Sequence, residues 1–511
     1  MTSRIVHVDG DGLTVGAVCR VAHGQAEARL GKGVSRRLAA SRRVVERVLR
    51  EDRPAYGINT GYGQLARVRI ASDRLSELQL NLIRSHAAGV GPHADAPTVR
   101  ALLLLRANVL ARGHSGVRAV VVRRLLDLLA ADLLPVVPEM GSVGASGDLA
   151  PLAHVALTLV GEGECSLDGK RLRSRRALGK AGLEPLTLEP KEALALINGT
   201  QFSAAIACLA LARAENLVRT ADVVAALTID GLRGTWRAFD PRVHEARPHP
   251  GQRVAADNLY RLLQRSDIWK SHESCSAVQD AYSLRCAPQV HGATRDALTN
   301  LERVLAIEIN ASTDNPMVFA NEGDIISGGN FHGAPLAAAT DYAGAALVML
   351  GTIVERRVDR LVNPLISGLP PFLARDAGLE SGLMMAHVTA AAVASECKTL
   401  AHPASVDTIP TSGNQEDHVS MSPWSARKLL QIVERVEILC AIELLASVRA
   451  LRLLRPLQTS PPLEAVVTET ESRVRIPDRD ATLSPVIESL TEIVREGMVV
   501  EAAAAAGTPV R

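Results

Sequence analysis

Residues 425–454 read SARKLLQIVERVEILCAIELLASVRALRLL. The apolar side chains of this stretch recur at helical spacing, at Leu429, Ile432, Val433, Val436, Leu439, Ile442 and Leu445. That spacing predicts an amphipathic helix of about eight turns, or roughly 45 Å. Because an isolated domain rarely needs so long a helix, we expect this one to pack within a helix bundle.

Residues 334–362 and 200–213 have the same helical texture, but the chain before residue 196 differs. There, short segments lie between Gly-rich turns, and residues 166–174 contain an Asp-Gly turn that is typical of a β-hairpin. We therefore predict a mainly α fold with two domains. Residues 1–196 form a smaller mixed N-terminal domain, and residues 197–511 form the long central bundle and the C-terminal helices.

The composition limits the class of protein. Apolar residues make up 47% of the 511 residues and charged residues 22%, which excludes a disordered chain. The 57 basic residues nearly balance the 55 acidic residues, for a net charge of +2. This balance indicates neither nucleic acid nor an anionic membrane as a partner.

We expect no membrane span and no secretion signal. The longest uncharged window, residues 193–212, is interrupted by polar side chains between residues 198 and 203, and residues 1–10 are polar. The seven cysteines are scattered and include no CxxC pair, as is usual for reduced thiols in the cytosol. The sequence therefore predicts a soluble cytoplasmic protein.

Several common motifs can be excluded. Residues 61–66 (GYGQLA) fit GxGxxA, but no βαβ pattern surrounds them, so a dinucleotide site is not expected. Residues 144–148 (GASGD) miss GxSxG at their last position, which argues against a hydrolase nucleophile. The 14 histidines show no ligand spacing, and we expect no metal.

Residues 141–154 read GSVGASGDLAPLAH. The simplest interpretation is a Gly/Ser loop that leads into a helix, with Asp148 near the N-cap and Pro151 in the first turn. The tripeptide Ala145-Ser146-Gly147 also permits a reaction. A tight bend could bring the unobstructed Gly147 nitrogen onto the Ala145 carbonyl. Cyclisation and loss of the Ser146 hydroxyl would then give a methylidene imidazolone, a strong electrophile.

The loop resembles the prosthetic-group loop of the aromatic amino acid ammonia-lyases and aminomutases. These enzymes form 4-methylideneimidazole-5-one (MIO) from Ala-Ser-Gly without an external cofactor. Six further segments, which occur in the family's order, support the resemblance. They are residues 56–63 (YGINTGYG), 85–89 (SHAAG), 196–201 (LINGTQ), 279–286 (QDAYSLRC), 328–332 (GGNFH) and 415–421 (QEDHVSM).

The resemblance implies catalytic roles for five residues. Ala145, Ser146 and Gly147 would become MIO, and Tyr56 would remove the β-proton of the substrate. Tyr282 would line the site beside the MIO ring.

The resemblance also implies the substrate contacts. Arg285 would bind the substrate carboxylate, for which its planar guanidinium is suited. Asn198 and Gln279 would be polar residues of the site, and Phe331 would pack beside the substrate. His86 and Glu416 would contact the substrate side chain. Members of the family are mostly helical homotetramers whose sites combine several subunits, so we expect a homotetramer.

Two positions depart from the family pattern. Tyr62 stands where members usually have Phe, and Ala334 precedes Pro335 where many of the members that act on histidine have Glu. Neither change removes a residue with an implied catalytic role.

His86 and Glu416 favour L-histidine as the substrate, because an imidazole offers polar ring atoms and a phenyl ring offers none. The expected products are trans-urocanate and ammonia. The alternatives are a tyrosine or phenylalanine ammonia-lyase, a 2,3-aminomutase that uses the same residues, and a catalytically inactive helical scaffold protein.

The loop sequence generates a test of self-processing. The purified protein should be lighter than its encoded mass by two waters without any added cofactor, because cyclisation and dehydration each release one. Ser146→Ala should restore at least one water and nearly abolish turnover. Intact-mass spectrometry checks both, and a fully active wild-type protein of unmodified mass would contradict the interpretation.

Overall fold

The computed structural model describes residues 4–273 and 278–511, and the predicted mainly helical fold is confirmed there. In chain order the helices are α1 (Val15–Ala22), α2 (Val34–Arg50), α3 (Leu75–His86), α4 (Ala96–Ala111), α5 (Ala119–Ala130), α6 (Leu149–Leu159), α7 (Ser174–Lys180), α8 (Glu192–Ile197), α9 (Gln201–Gly231), α10 (Pro241–Glu245), α11 (Pro250–Leu262), α12 (Asp267–Lys270), α13 (Tyr282–Arg285), α14 (Ala287–Glu308), α15 (Ala334–Val362), α16 (Pro364–Ser367), α17 (Met384–Leu400), α18 (Ser422–Leu453), α19 (Pro461–Arg473), α20 (Ser484–Glu496) and α21 (Met498–Ala505). Short 3-10 helices lie at Gly63–Leu65, Ser72–Arg74, Trp236–Phe239, Pro371–Leu373 and Ser412–Asn414.

The strands are short. They are β1 (Arg4–Val8), β2 (Ala26–Leu30), β3 (Val90–His93), β4 (Leu134–Pro135), β5 (Pro138–Met140), β6 (Glu164–Leu167), β7 (Lys170–Arg173), β8 (Met317–Phe319) and β9 (Asp324–Ile326). β1 pairs with β2 in parallel, and the pairs β3–β5, β4–β6, β6–β7 and β8–β9 are antiparallel. The predicted hairpin is β6–β7, in which Cys165 lies opposite Leu172 and Asp168 and Gly169 both have positive φ in the turn.

The chain divides into two compact units. The first comprises the described residues up to 212 together with 301–341 and 403–427, and the second comprises 213–300, 342–402 and 428–511. Four of the five divisions fall inside α9, α14, α15 and α18, and the fifth follows α17. This grouping by compactness does not coincide with residue 196, and an N-terminal domain of residues 1–196 stays a prediction.

In the first unit, α4 is buried on nearly every face, as its almost wholly apolar sequence leads one to expect. It also carries Arg106, whose side chain is completely buried. A charge in such a place needs several hydrogen-bond partners, and those partners belong to the candidate site described below.

In the second unit, all seven apolar positions predicted for the long helix at 425–454 are buried, and α18 confirms that prediction. The unit also buries an ion pair. Arg357 donates to Glu443 at 2.5 and 3.0 Å, neither side chain is exposed, and Thr228 Oγ1 donates to the same carboxylate at 2.7 Å.

One described helix, α15, is long and apolar enough to cross a bilayer by length and composition alone. However, 67% of its most apolar 18-residue window is buried within the protein. Such burial is typical of a core helix.

The buried pair generates a stability prediction. Arg357→Met should leave the Glu443 charge without its partner and destabilise the fold by about 3–5 kcal/mol, whereas the double variant with Glu443→Leu should recover most of that loss. Thermal unfolding measures both. Arg473→Met, at a half-exposed arginine whose partner Glu469 is also exposed, is the control and should cost less than about 1 kcal/mol. A double variant as unstable as the single one would contradict this account.

Candidate active site

The first unit contains a cavity of about 710 Å³. Its walls bring together many of the residues that the sequence nominated. They are Tyr56, His86, Ala145, Ser146, Asn198, Phe331 and Glu416. These residues come from separate segments of the chain, so their common cavity is a property of the fold and not of sequence proximity.

The loop before α6 is bent sharply at Gly147, which has φ +76°. Its backbone pairs with that of Gly199, and a Cβ atom at Gly147 would overlap the Gly199 peptide. Gly144 has φ +68°, and a Cβ there would meet the hydroxyls of Ser420 and Ser422. Only glycine therefore fits these two positions.

Hydrogen bonds hold the bend. Ser142 Oγ donates to Gly147 O at 3.0 Å and accepts from Gly144 N at 3.2 Å. Ser420 Oγ donates to Gly144 O at 2.8 Å, and Asp148 N donates to Gly199 O at 2.7 Å. The loop is thus tied both to itself and to the segments on either side of it.

Ser146 points its hydroxyl into the cavity, where Oγ donates to Glu416 Oε1 at 2.8 Å. The Ser146 carbonyl oxygen accepts from Asn198 Nδ2 at 3.1 Å. These contacts fit an imidazolone, since the Ser146 carbonyl is the oxygen that the ring would keep and the hydroxyl is the group that it would lose. Asn198 Oδ1 is buried and has no hydrogen-bond partner among the described residues.

Arg106 of α4 forms hydrogen bonds to the turn that contains Asn198. Its guanidinium donates to Asn198 O at 3.0 Å, to Gln201 Oε1 at 2.5 Å and to Ala195 O. Burial lowers the pKa of Arg106 to about 10, so the side chain stays charged near neutral pH. The sequence analysis missed this residue, although an arginine directly after the apolar run 101–105 was the available signal.

Asp148 is the N-cap residue of α6, as expected, but its carboxylate does not cap that helix. Instead it accepts from Ser203 N at 2.8 Å and from Ser203 Oγ at 2.9 Å. Burial outweighs these hydrogen bonds and raises the pKa of Asp148 to about 7. The carboxyl group therefore ties the loop to α9.

Glu416 has both carboxylate oxygens engaged. Oε1 accepts from Ser146, and Oε2 accepts from Thr411 Oγ1 at 2.7 Å and from Ser412 Oγ at 2.8 Å. Burial alone would raise its pKa, but the three hydroxyls and the nearby His86 hold the pKa of Glu416 below its ordinary value. The group is a carboxylate near neutral pH.

His86 ends α3, and its tautomer follows from its neighbours. Nδ1 lies 2.9 Å from Leu82 O and 3.0 Å from Ser85 Oγ, and a carbonyl can only accept. Nδ1 therefore carries the proton, and Nε2 is an acceptor. Burial lowers the pKa of His86, despite the opposing effects of Leu82 O and Glu416, so the ring is neutral near pH 7.

Two phenols line the cavity. Tyr56 Oη accepts from Gly63 N at 3.3 Å. Tyr62 Oη, the hydroxyl that departs from the family pattern, accepts from Gln79 Nε2 at 3.3 Å, and the buried Gln79 also accepts from Ala193 N. Burial raises the pKa of Tyr62 well above its ordinary value, so Tyr62 remains an uncharged phenol.

Gln279, Tyr282 and Arg285 belong to the second unit and are not among the residues that line this cavity. Tyr282 is 71% exposed, and the Arg285 guanidinium lies 4.8 Å from the centre of its ring. Among the described residues no carboxylate pairs with Arg285, and its buried Nε has no hydrogen-bond partner. The guanidinium is thus available to bind an anion.

Within residues 4–273 and 278–511, no three His, Cys, Asp or Glu side chains are grouped so as to hold a metal ion.

A model of the aromatic amino acid lyase family matches residues 13–472. The chain belongs to this family. It is 48% identical to the histidine ammonia-lyase of Myxococcus xanthus over 495 residues, which cover 97% of either chain. Membership confirms the expectation of a carbon–nitrogen lyase.

Solved structures agree with this assignment. The histidine ammonia-lyase of Trypanosoma cruzi matches with a TM-score of 0.91 at 41% identity, over 98% of this chain and 95% of that one. The tyrosine aminomutase of Streptomyces globisporus matches with a TM-score of 0.93 at 37% identity, over 99% of this chain and 100% of that one. The fold is therefore that of the family.

The bend at Gly147 predicts that adding one methyl group at this position blocks maturation of the loop. Gly147→Ala should abolish the two-water mass deficit and lower the thermal midpoint, because a side chain in this left-handed conformation costs about 1–2 kcal/mol before any overlap with Gly199. Gly329→Ala is the matched control, since a Cβ there meets nothing within 4 Å. Intact mass and thermal unfolding report the outcome, and a Gly147→Ala protein with the full deficit would show that the bend is not needed.

Proposed function

We propose that the protein eliminates ammonia from L-histidine to give trans-urocanate. The observation that carries the proposal is the cavity in which the Ala145-Ser146-Gly147 bend faces His86 and Glu416. Extensive similarity to histidine ammonia-lyases from Myxococcus xanthus and Trypanosoma cruzi supports the same substrate.

The prosthetic group would be MIO, formed from Ala145, Ser146 and Gly147 without an external cofactor. The bend at Gly147 and the hydrogen bond from Asn198 to the Ser146 carbonyl support this assignment. MIO supplies an electrophile that improves the departure of the substrate amine.

Tyr56 would take the β-proton of the substrate. Its hydroxyl accepts a hydrogen bond from the Gly63 amide, and Tyr56 lines the same cavity as Ala145 and Ser146. Phe331 would pack against the substrate. The unpartnered Asn198 Oδ1 would accept a hydrogen bond from the substrate.

His86 and Glu416 would select the imidazole. Nε2 of the neutral His86 and the Glu416 carboxylate are both acceptors, so together they suit the imidazolium form of histidine, which has two ring N–H groups. A phenyl ring has no such donor and would leave Oε1 of the partly buried Glu416 carboxylate without a partner, at a cost of about 1–3 kcal/mol. The pair therefore favours histidine over phenylalanine.

The substrate carboxylate would bind Arg285, with Tyr282 and Gln279 beside it. We propose that these three side chains reach the cavity of another copy of the chain in a cytoplasmic homotetramer. The exposure of Tyr282 and the absence of a carboxylate partner for Arg285 among the described residues support this arrangement.

A second candidate is a 2,3-aminomutase acting on tyrosine, which would return ammonia to the β-carbon. Two observations support testing for this activity. They are the match to the tyrosine aminomutase of Streptomyces globisporus and the additional hydroxyl of Tyr62 in the cavity.

The deciding experiment incubates the purified protein with histidine, tyrosine and phenylalanine, and follows both the conjugated acrylate and the β-amino acid. We expect urocanate from histidine and no β-amino acid. A preference for tyrosine or phenylalanine would refute the histidine assignment, and a β-amino acid product would establish the mutase.

Removing the His86 acceptor should change specificity. In His86→Leu a ring N–H of histidine loses its partner, at a cost of about 1–3 kcal/mol, so the ratio of kcat/KM for histidine to that for phenylalanine should fall roughly 5- to 150-fold. The two-water mass deficit should remain, which controls for maturation. An unchanged ratio would mean that His86 does not contact the ring.

The composite site predicts complementation between two inactive chains. Arg285→Ala removes the carboxylate anchor and Ser146→Ala removes the electrophile. When the two variants are co-expressed, mixed oligomers should recover activity, because some sites combine an intact loop with an intact arginine. Each variant expressed alone is the control. If the mixture is no more active than either variant, Arg285 serves the cavity of its own chain.

A further inference from the structure

The hydrogen bond between Ser146 Oγ and Glu416 Oε1 is unexpected if Glu416 serves only the substrate. At 2.8 Å it engages the hydroxyl that has to leave when the loop matures. Thr411 and Ser412 hold the other carboxylate oxygen, so Oε1 is the oxygen directed at Ser146. The carboxylate is thus placed on a reacting atom before any substrate can bind.

We infer that Glu416 is a catalytic residue of the self-processing reaction, in which it dehydrates Ser146, and that it contacts the substrate only afterwards. The inference rests on the proposed function, because it concerns how the electrophile of that function is made.

The chemistry balances without any further reagent. The Gly147 nitrogen bonds to the Ala145 carbonyl carbon. The carbonyl oxygen leaves as the first water, with the Gly147 amide proton and a proton from solvent. The Ser146 amide proton passes to solvent when Ser146 N becomes part of the ring C=N bond. Glu416 then takes the Ser146 Cα proton, and that electron pair forms the Cα=Cβ double bond. The Cβ–Oγ bond breaks, and Oγ leaves as the second water with its own proton and the one that Glu416 returns.

The electrostatics of Glu416 suit this task. Its three hydroxyl partners keep it ionised, so it can accept a proton at the start of the step. The carboxyl form that results lies within hydrogen-bond distance of Oγ and can donate to it. Among the described residues, no other acidic side chain is hydrogen-bonded to this hydroxyl.

Glu416 Oε1 would have two hydrogen-bond partners in succession, first Ser146 and then the substrate. While the hydroxyl is present, Oε1 is occupied by Ser146. Once Oγ has left as water, Oε1 is free to accept a ring N–H of the substrate. Dehydration would therefore complete the electrophile and open the substrate contact in the same step.

The test follows the mass of the full-length chain at fixed times after induction of expression. Wild type should reach the two-water deficit. Glu416→Gln should slow dehydration roughly 10²- to 10⁴-fold, the usual contribution of a general acid–base group, and so accumulate chains that lack one water or none. Asp417→Asn is the matched control, because it removes one negative charge from the adjacent residue and should retain the full deficit.

Folding and the proposed function are checked separately. Thermal unfolding establishes that Glu416→Gln is folded, and Glu416→Asp, which keeps a carboxylate, should mature faster than Glu416→Gln. A folded Glu416→Gln that reaches the two-water deficit at the wild-type rate overturns the inference and leaves the proposed function standing. A wild-type chain without any deficit contradicts the proposed function itself.

Discussion

The contact between the backbones of Gly147 and Gly199 is the constraint on which the site depends. The two peptides can approach so closely only because residue 147 has no side chain, since a Cβ atom there would overlap the Gly199 peptide. A Cβ atom at Gly199 would instead meet Arg106 and Gln201. The approach bends the loop back on itself and presents Ser146 to the cavity. A loop in an ordinary extended conformation would hold the Gly147 nitrogen away from the Ala145 carbonyl.

Two buried polar side chains near this contact hold the bend in place. The buried guanidinium of Arg106 donates to the turn that contains Asn198, and Asp148 fastens the other end of the loop to Ser203. Neither side chain is among those that line the cavity. Their burial is costly, and the hydrogen bonds that offset the cost are the ones that position the loop.

Much of this arrangement could be predicted from the sequence, and the missing parts have a physical reason. The helical spacing at 425–454 predicted α18, and the motifs around Tyr56, His86, Asn198 and Glu416 predicted members of one cavity. Periodicity reports which face of an element is buried, but it does not report which hydroxyl meets which carboxylate. The Ser146–Glu416 bond and the role of Arg106 depend on segments far apart in the chain, so only the folded structure places them together.

The most direct test of the account is to locate the modification. Borodeuteride treatment of the purified protein, followed by proteolysis and fragmentation mass spectrometry, should find the two-water loss within residues 145–147 and deuterium at the former Ser146 Cβ. An unmodified Ala145-Ser146-Gly147 peptide from an active enzyme would contradict the claim that this bend makes the electrophile.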